Sequence, residues 1–111
     1  MKADDLYEMS NFSSRTTGLP SNIVIWCGTD PLDHSHDKYR IKVTKDNEWA
    51  AIFSVGSISD LVKNINSSLS GKEMRMISEW VEKYSSLIIS LIDGKLDTTE
   101  FGFEVQKIRN M

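Results

Sequence analysis

Leu69-Ser70-Gly71-Lys72-Glu73-Met74 and Leu96-Asp97-Thr98-Thr99-Glu100-Phe101 open two helices in the same grammar. An oxygen-bearing residue, Ser70 or Asp97, stands three positions before a glutamate, Glu73 or Glu100. An apolar residue sits just outside the cap and another at the fourth helical position. This is a capping box with a hydrophobic staple, written twice. Downstream of the first cap, Met74, Ile77, Val81, Tyr84, Ile88 and Leu91 step by three or four residues and form one apolar stripe, widened by Trp80 and Leu87. The spacing predicts a single long helix over residues 71–92. Gly94 suits a left-handed stop, and Lys95 suits the negative helix end. The second helix, residues 98–109, offers Phe101, Val105 and Ile108 to the core. Gly102 weakens it by about 1 kcal/mol relative to alanine, and leaves room for a close neighbour.

Upstream, the period changes from helix to strand. Residues 22–27, Asn-Ile-Val-Ile-Trp-Cys, are β-branched and aromatic on both faces and read as a strand covered on both sides. Residues 38–45 alternate, with Tyr39, Ile41 and Val43 on one face and Lys38, Arg40 and Lys42 on the other. Asp46-Asn47 links this strand to a third, residues 48–55, as an antiparallel hairpin. Simple alternation places Trp49, Ala51, Phe53 and Val55 on one face of that strand. In residues 56–68, Ile58, Leu61, Val62 and Ile65 have helical spacing, but Asn64, Asn66, Ser67 and Ser68 are poor helix formers. An irregular segment with a short fourth strand around residues 61–65 is expected.

The expected fold is α+β. A small antiparallel sheet of three or four strands, within residues 22–66, is covered on one face by one long helix, with the C-terminal helix folding back as its hairpin partner. The expected core is Tyr39, Ile41, Val43, Trp49, Phe53, Met74, Ile77, Val81, Tyr84 and Ile88. Residues 18–111 form a single domain, opened by the turn Gly18-Leu19-Pro20. Residues 1–17 form a polar N-terminal arm in which Leu6, Tyr7, Met9 and Phe12 are available for docking.

The composition sets outer bounds. A chain of 111 residues, 40% hydrophobic and 26% charged, can build one core without staples. Its formal net charge of −3 argues against broad coating of nucleic acid. Cys27 is alone, so no internal disulfide forms and a reducing compartment is expected. The first residues, Met1-Lys2-Ala3-Asp4-Asp5, lack the apolar segment of a secretion signal. The apolar run at residues 87–92 is too short to span a bilayer. A cytoplasmic protein with no membrane contact and no cofactor is the expectation.

One cluster has chemical potential, Asp33-His34-Ser35-His36-Asp37. In an extended loop the two-residue spacing sets both imidazoles on one side, where they could hold a divalent metal with Asp33 or Asp37. Alternatively, His34 and His36 could serve as general base and acid on a phosphodiester, with Arg40 steadying the charge. The plainer reading, a polar loop between strands, is preferred, because a structural zinc wants four good ligands. Lys38, Arg40 and Lys42 form a basic ridge able to track an acidic protein surface or phosphates. The exposed side of a half-buried strand looks the same, and no aromatic is expected among the lysines to stack bases. Trp26, Trp49 and Trp80 are read as core. Cys27 is read as a small apolar residue.

Several motifs also carry a resemblance. Thr17-Gly18-Leu19-Pro20, Ile25-Trp26, Arg40-Ile41-Lys42-Val43, Leu69-Ser70, Glu79-Trp80 and Asp93-Gly94-Lys95-Leu96-Asp97-Thr98 are together similar to a family of small bacterial and phage domains of unknown function. That family is distantly like a larger one with an Asp-His-x-Pro-Pro-His-x-His loop, whose members often lie beside small partners in arrangements resembling toxin–antitoxin pairs. Asp33-His34-Ser35-His36 lacks the paired prolines and one histidine of that loop. The resemblance covers most of residues 16–108 and implies no particular activity. With the missing catalytic constellation and the acidic balance, it makes a non-enzymatic protein-binding module the first expectation: an inhibitor, antitoxin or immunity-like factor whose partner is a toxin, effector or defence component. The polar arm or the exposed sheet face would bind. The alternative is a small nuclease-like or metal-binding toxin using His34, His36 and Arg40. Nucleic-acid binding by the ridge is the weaker third.

Overall fold

A computed structural model describes residues 9–28 and 39–110. Five strands form one antiparallel sheet in chain order: β1 (Met9–Phe12), β2 (Ile23–Gly28), β3 (Arg40–Lys45), β4 (Glu48–Ser54) and β5 (Leu61–Asn64). The chain is therefore α+β, with more strands than the sequence suggests. The additional strand comes from the polar arm, where β1 pairs with β2 and carries Phe12 opposite Ile25. Phe12 is buried, and its ring lies 4.6 Å from that of Phe101. A four-residue strand, Met-Ser-Asn-Phe, is too short to show a period, which is why β1 does not announce itself.

The β3–β4 link is a tight turn in which Asp46 and Asn47 both take positive φ, 53° and 67°. That backbone matches the right-handed twist of the strands it joins. Past the turn, β4 carries a bulge. Val43 faces Ala51 but Thr44 faces Trp49, so Ala50 is an extra residue. Ala50 and Ala51 are both fully buried, breaking the alternation. The expectation that Trp49 shares a face with Ala51 and Phe53 is corrected here. One inserted residue moves Trp49 to the opposite side of the sheet.

One face of the sheet is the core. Ile25, Cys27, Ile41, Val43, Ala51 and Phe53 are at most 1% exposed. Over them lie α2 (Gly71–Lys83), α3 (Ser85–Ile92) and α4 (Thr98–Arg109), preceded in the chain by the short α1 (Ser14–Thr17). Their sheet-facing side chains are Ile77, Trp80, Val81, Tyr84, Ile88, Ile92, Phe101 and Val105, all buried. Each fully buried aliphatic or phenyl group contributes about 1.5–3 kcal/mol of transfer free energy. Of the expected core, Tyr39 and Met74 sit at its margin.

Both capping boxes close. The Glu73 amide donates to Ser70 Oγ at 3.1 Å, and the Ser70 amide to Glu73 Oε1 at 2.8 Å. The Glu100 amide donates to Asp97 Oδ1 at 2.7 Å, and the Asp97 amide to Glu100 Oε1 at 3.1 Å. The single long helix is corrected to two. Tyr84, at φ −108° and ψ 17°, leaves helical geometry between α2 and α3. Ser85 and Ser86 follow it, and serine hydroxyls compete for backbone groups and weaken a helix interior. The stripe persists through the break because Tyr84 itself is buried against Trp80, with ring centroids 5.3 Å apart. At the end of α3, Gly94 takes φ 78°, the Gly94 amide reaches the Leu91 carbonyl, and the Lys95 amide reaches the Ser90 carbonyl. This pair of bonds is a Schellman stop.

The last helix clasps the first. Arg109 Nη1 donates to the Arg15 and Thr16 carbonyls at 3.1 and 2.9 Å, filling acceptors that α1 leaves open. The guanidinium lies 3.4 Å from where a Cβ would stand on Gly18, whose φ is 77°. The left-handed turn favours glycine there, while a side chain would meet the guanidinium only in ordinary contact.

Candidate functional site

Strand alternation sends a second set of side chains to the face opposite the core. Register aligns five of them into a row across the whole sheet: Asn11 beside Trp26, Trp26 beside Lys42, Lys42 beside Ile52, and Ile52 beside Lys63. Trp49, brought over by the bulge, joins this face next to Thr44. Its ring lies 5.4 Å from that of Trp26, tilted by 57°. Trp26 is oriented by a bond from Nε1 to Thr44 Oγ1 at 3.2 Å. The indole polar edge is thereby satisfied, and the pair forms a fixed aromatic platform.

Beside the platform is a shallow hollow of about 260 Å³, lined by Lys42, Trp49, Ile52, Lys63 and Ile65. Its walls are mostly apolar, and its two charged groups are both ammonium ions. Lys42 and Lys63 make no ion pair with any described residue. They stand two strands apart, about 9–10 Å by sheet spacing. Arg40 shares their face by alternation. Lys45, on the same strand, faces the other way. Its Nζ donates to Glu73 Oε1 and to the Ser68 carbonyl, both at 2.8 Å, so this lysine is structural. That contact, followed by the Ser70 amide, holds the Glu73 carboxyl below its usual range.

A second hollow, about 340 Å³, lies between β1, α1 and α4, with Asn11, Thr16, Thr98, Phe103 and Gln106 in its lining. No charged side chain lines it, so nothing there selects an ion.

The histidine cluster, Asp33, His34, His36 and Asp37, lies outside the described residues, as does Lys38. Among the described residues, no three His, Cys, Asp or Glu side chains converge as metal ligands. Of the expected binding residues, Arg40 and Lys42 are placed on the open face. The expectation that no aromatic neighbours them is corrected: Trp26 is the direct cross-strand partner of Lys42. Trp80 is in the core as expected, whereas Trp26 and Trp49 are only half-buried. Ile52, Lys63 and Ile65 were not singled out from the sequence as binding residues. Cys27 is fully buried, and desolvation pushes its thiol up to about 12, which leaves it protonated and unreactive at neutral pH.

The described helices include none long and apolar enough to cross a membrane. No family model, curated protein or solved structure matches this chain.

Proposed function

We propose that this chain is a small non-enzymatic protein-binding module, and that it binds through the open face of its sheet. The observation that supports this most is the composition of that face: two fixed tryptophans, two aliphatic residues and two lysines without a described counter-ion, on a chain of net charge −3. An apolar centre with a charged rim is the anatomy of a protein interface, and tryptophan is a preferred anchor. The partner surface is acidic around an apolar contact. A second copy meeting face to face would set lysines against lysines, which disfavours self-pairing there. In the setting implied by the resemblance, the module is an inhibitor, antitoxin or immunity-like factor, and its target a toxin, effector or defence component.

The test is affinity capture with the native chain and with Trp49→Ala in parallel. A stoichiometric protein retained by the first and lost by the second supports the reading. Loss of no partner in the variant, or recovery of none by the native chain, refutes it.

The placement of Trp26 beside Lys42 favours a second reading, single-stranded nucleic acid stacked on the indoles. Ile52 and Ile65 weigh against it, since they offer no stacking surface. Binding of this kind would weaken steeply with added salt and with Lys42→Ala.

A further inference from the structure

The edge of the sheet beside this face has its own character. Among the described residues, the large hydrophobics that stay exposed are Ile58, Leu61, Val62, Ile65 and Phe103. Four of the five fall within residues 58–65, on and around β5. β5 ends the sheet order, so its outer edge carries no strand among the described residues. Just outside β5, the Asp60 carbonyl accepts from the Ser54 amide and the Ile65 amide donates to the Ala50 carbonyl, which brackets the ladder to β4. In an antiparallel ladder bonded and non-bonded pairs alternate, and the register shift between Ile52 and Phe53 resets that alternation between Asn64 and Leu61. Leu61 opposite Phe53 and Asn64 opposite Ala51 are therefore the non-bonded pairs, and they turn their peptide groups outward. Apolar exposure and open backbone groups thus coincide on one edge.

Resting on the protein-binding reading above, we propose that the partner contributes an extended acidic segment that adds to β5 as a sixth strand. The row that crosses the sheet ends on Lys63, so the next position outward belongs to the added strand, and a carboxylate there faces an ammonium. Opposite charges side by side across strands stabilise the pairing, whereas like charges oppose it. The same rule counts against a second copy of this chain, since β5 paired with itself would set Lys63 close to Lys63. Aliphatic residues at the alternate positions of the incoming strand would lie beside Leu61, which faces Phe53 on the other side of the sheet, and main-chain bonds would carry the affinity.

The test uses the full chain and two synthetic octapeptides, one alternating valine and glutamate, the other alternating valine and lysine. Amide hydrogen exchange is followed by NMR. The glutamate peptide should slow exchange at Leu61 and Asn64 by at least about tenfold, the lysine peptide should not, and Lys63→Glu should reverse the preference. Leu61→Pro, which removes an outward N–H and no ladder bond, should abolish binding; should that variant not fold, the exchange pattern of the native chain decides alone. Absence of slowing at millimolar peptide overturns the proposal. So does protection at these amides that needs no peptide and tracks self-association in sedimentation, or that a thymidine oligonucleotide produces instead. A native partner lost on Trp49→Ala but retained on Leu61→Pro overturns the edge proposal alone and leaves the face reading standing.

Discussion

The two faces of one sheet are built from the same strands, yet they differ in kind. On the covered face, Ile25, Cys27, Ile41, Val43 and Phe53 meet three helices and are sealed from water. On the open face, Trp26, Lys42, Ile52 and Lys63 occupy the intervening positions, on the side away from the three helices. The first face is required for the chain to fold at all. The second is not, and its combination of indole, aliphatic and ammonium groups is more than solubility needs. Alternation keeps the two roles separate, so a change on one face should leave the other largely untouched.

The largest expected effect lies on the covered face. Phe53→Ala should cost about 3–5 kcal/mol, read as a lower midpoint in urea unfolding. Trp49→Ala should invert the pattern. Partner affinity should fall by at least about thirtyfold, the loss of an anchor worth 2 kcal/mol, with far less change in unfolding than Phe53→Ala causes. Equal destabilisation by the two variants would erase the distinction between the faces.

Cys27 sharpens the comparison through pH. Burial raises its thiol from 9.0 to about 12. Below pH 9 both the folded and unfolded thiols are protonated, and stability does not depend on this group. Above it, the unfolded chain sheds the proton while the folded chain keeps it, so stability falls, by about 1.4 kcal/mol per pH unit from this thiol. Cys27→Ala should remove that slope; the difference between the two unfolding curves from pH 9 to 11 isolates it from other titrating groups.

Smaller effects belong to the margins of the core. Ser70→Ala should cost about 1 kcal/mol by opening the first cap. Glu73 has a depressed folded value, so its contribution is present above about 4.5 and is lost as pH falls. Lys45→Met should flatten that acid dependence. Arg109→Ala should be the mildest, about 0.5–1.5 kcal/mol, with faster amide exchange in α1 as the local readout.

Much of the fold is legible without coordinates. Ser70 with Glu73, Asp97 with Glu100, and Gly94 each satisfy backbone groups within a few residues, so the chain states those boundaries outright. Asp46-Asn47 does the same for the hairpin, and Ile41 and Val43 reveal their face by period. Legibility is poorer at the candidate site. Lys42 and Arg40 can be named from the ridge, but Trp26 is separated from Lys42 by sixteen positions, and their contact is a matter of register. Trp49 is misplaced because nothing in Trp49-Ala50-Ala51 marks a bulge.

From its amino acids alone this protein has its helix starts, its tight hairpin, its α+β class and the inward set of β3, because each depends on neighbours in sequence. Tertiary structure decided that the arm supplies a strand, that the long helix bends at Tyr84, and that Trp49 joins Trp26 beside two lysines. Those outcomes follow from which strand pairs with which and where one extra residue enters the ladder. That is settled by burying the most apolar surface over the whole molecule, and no short window of sequence carries it.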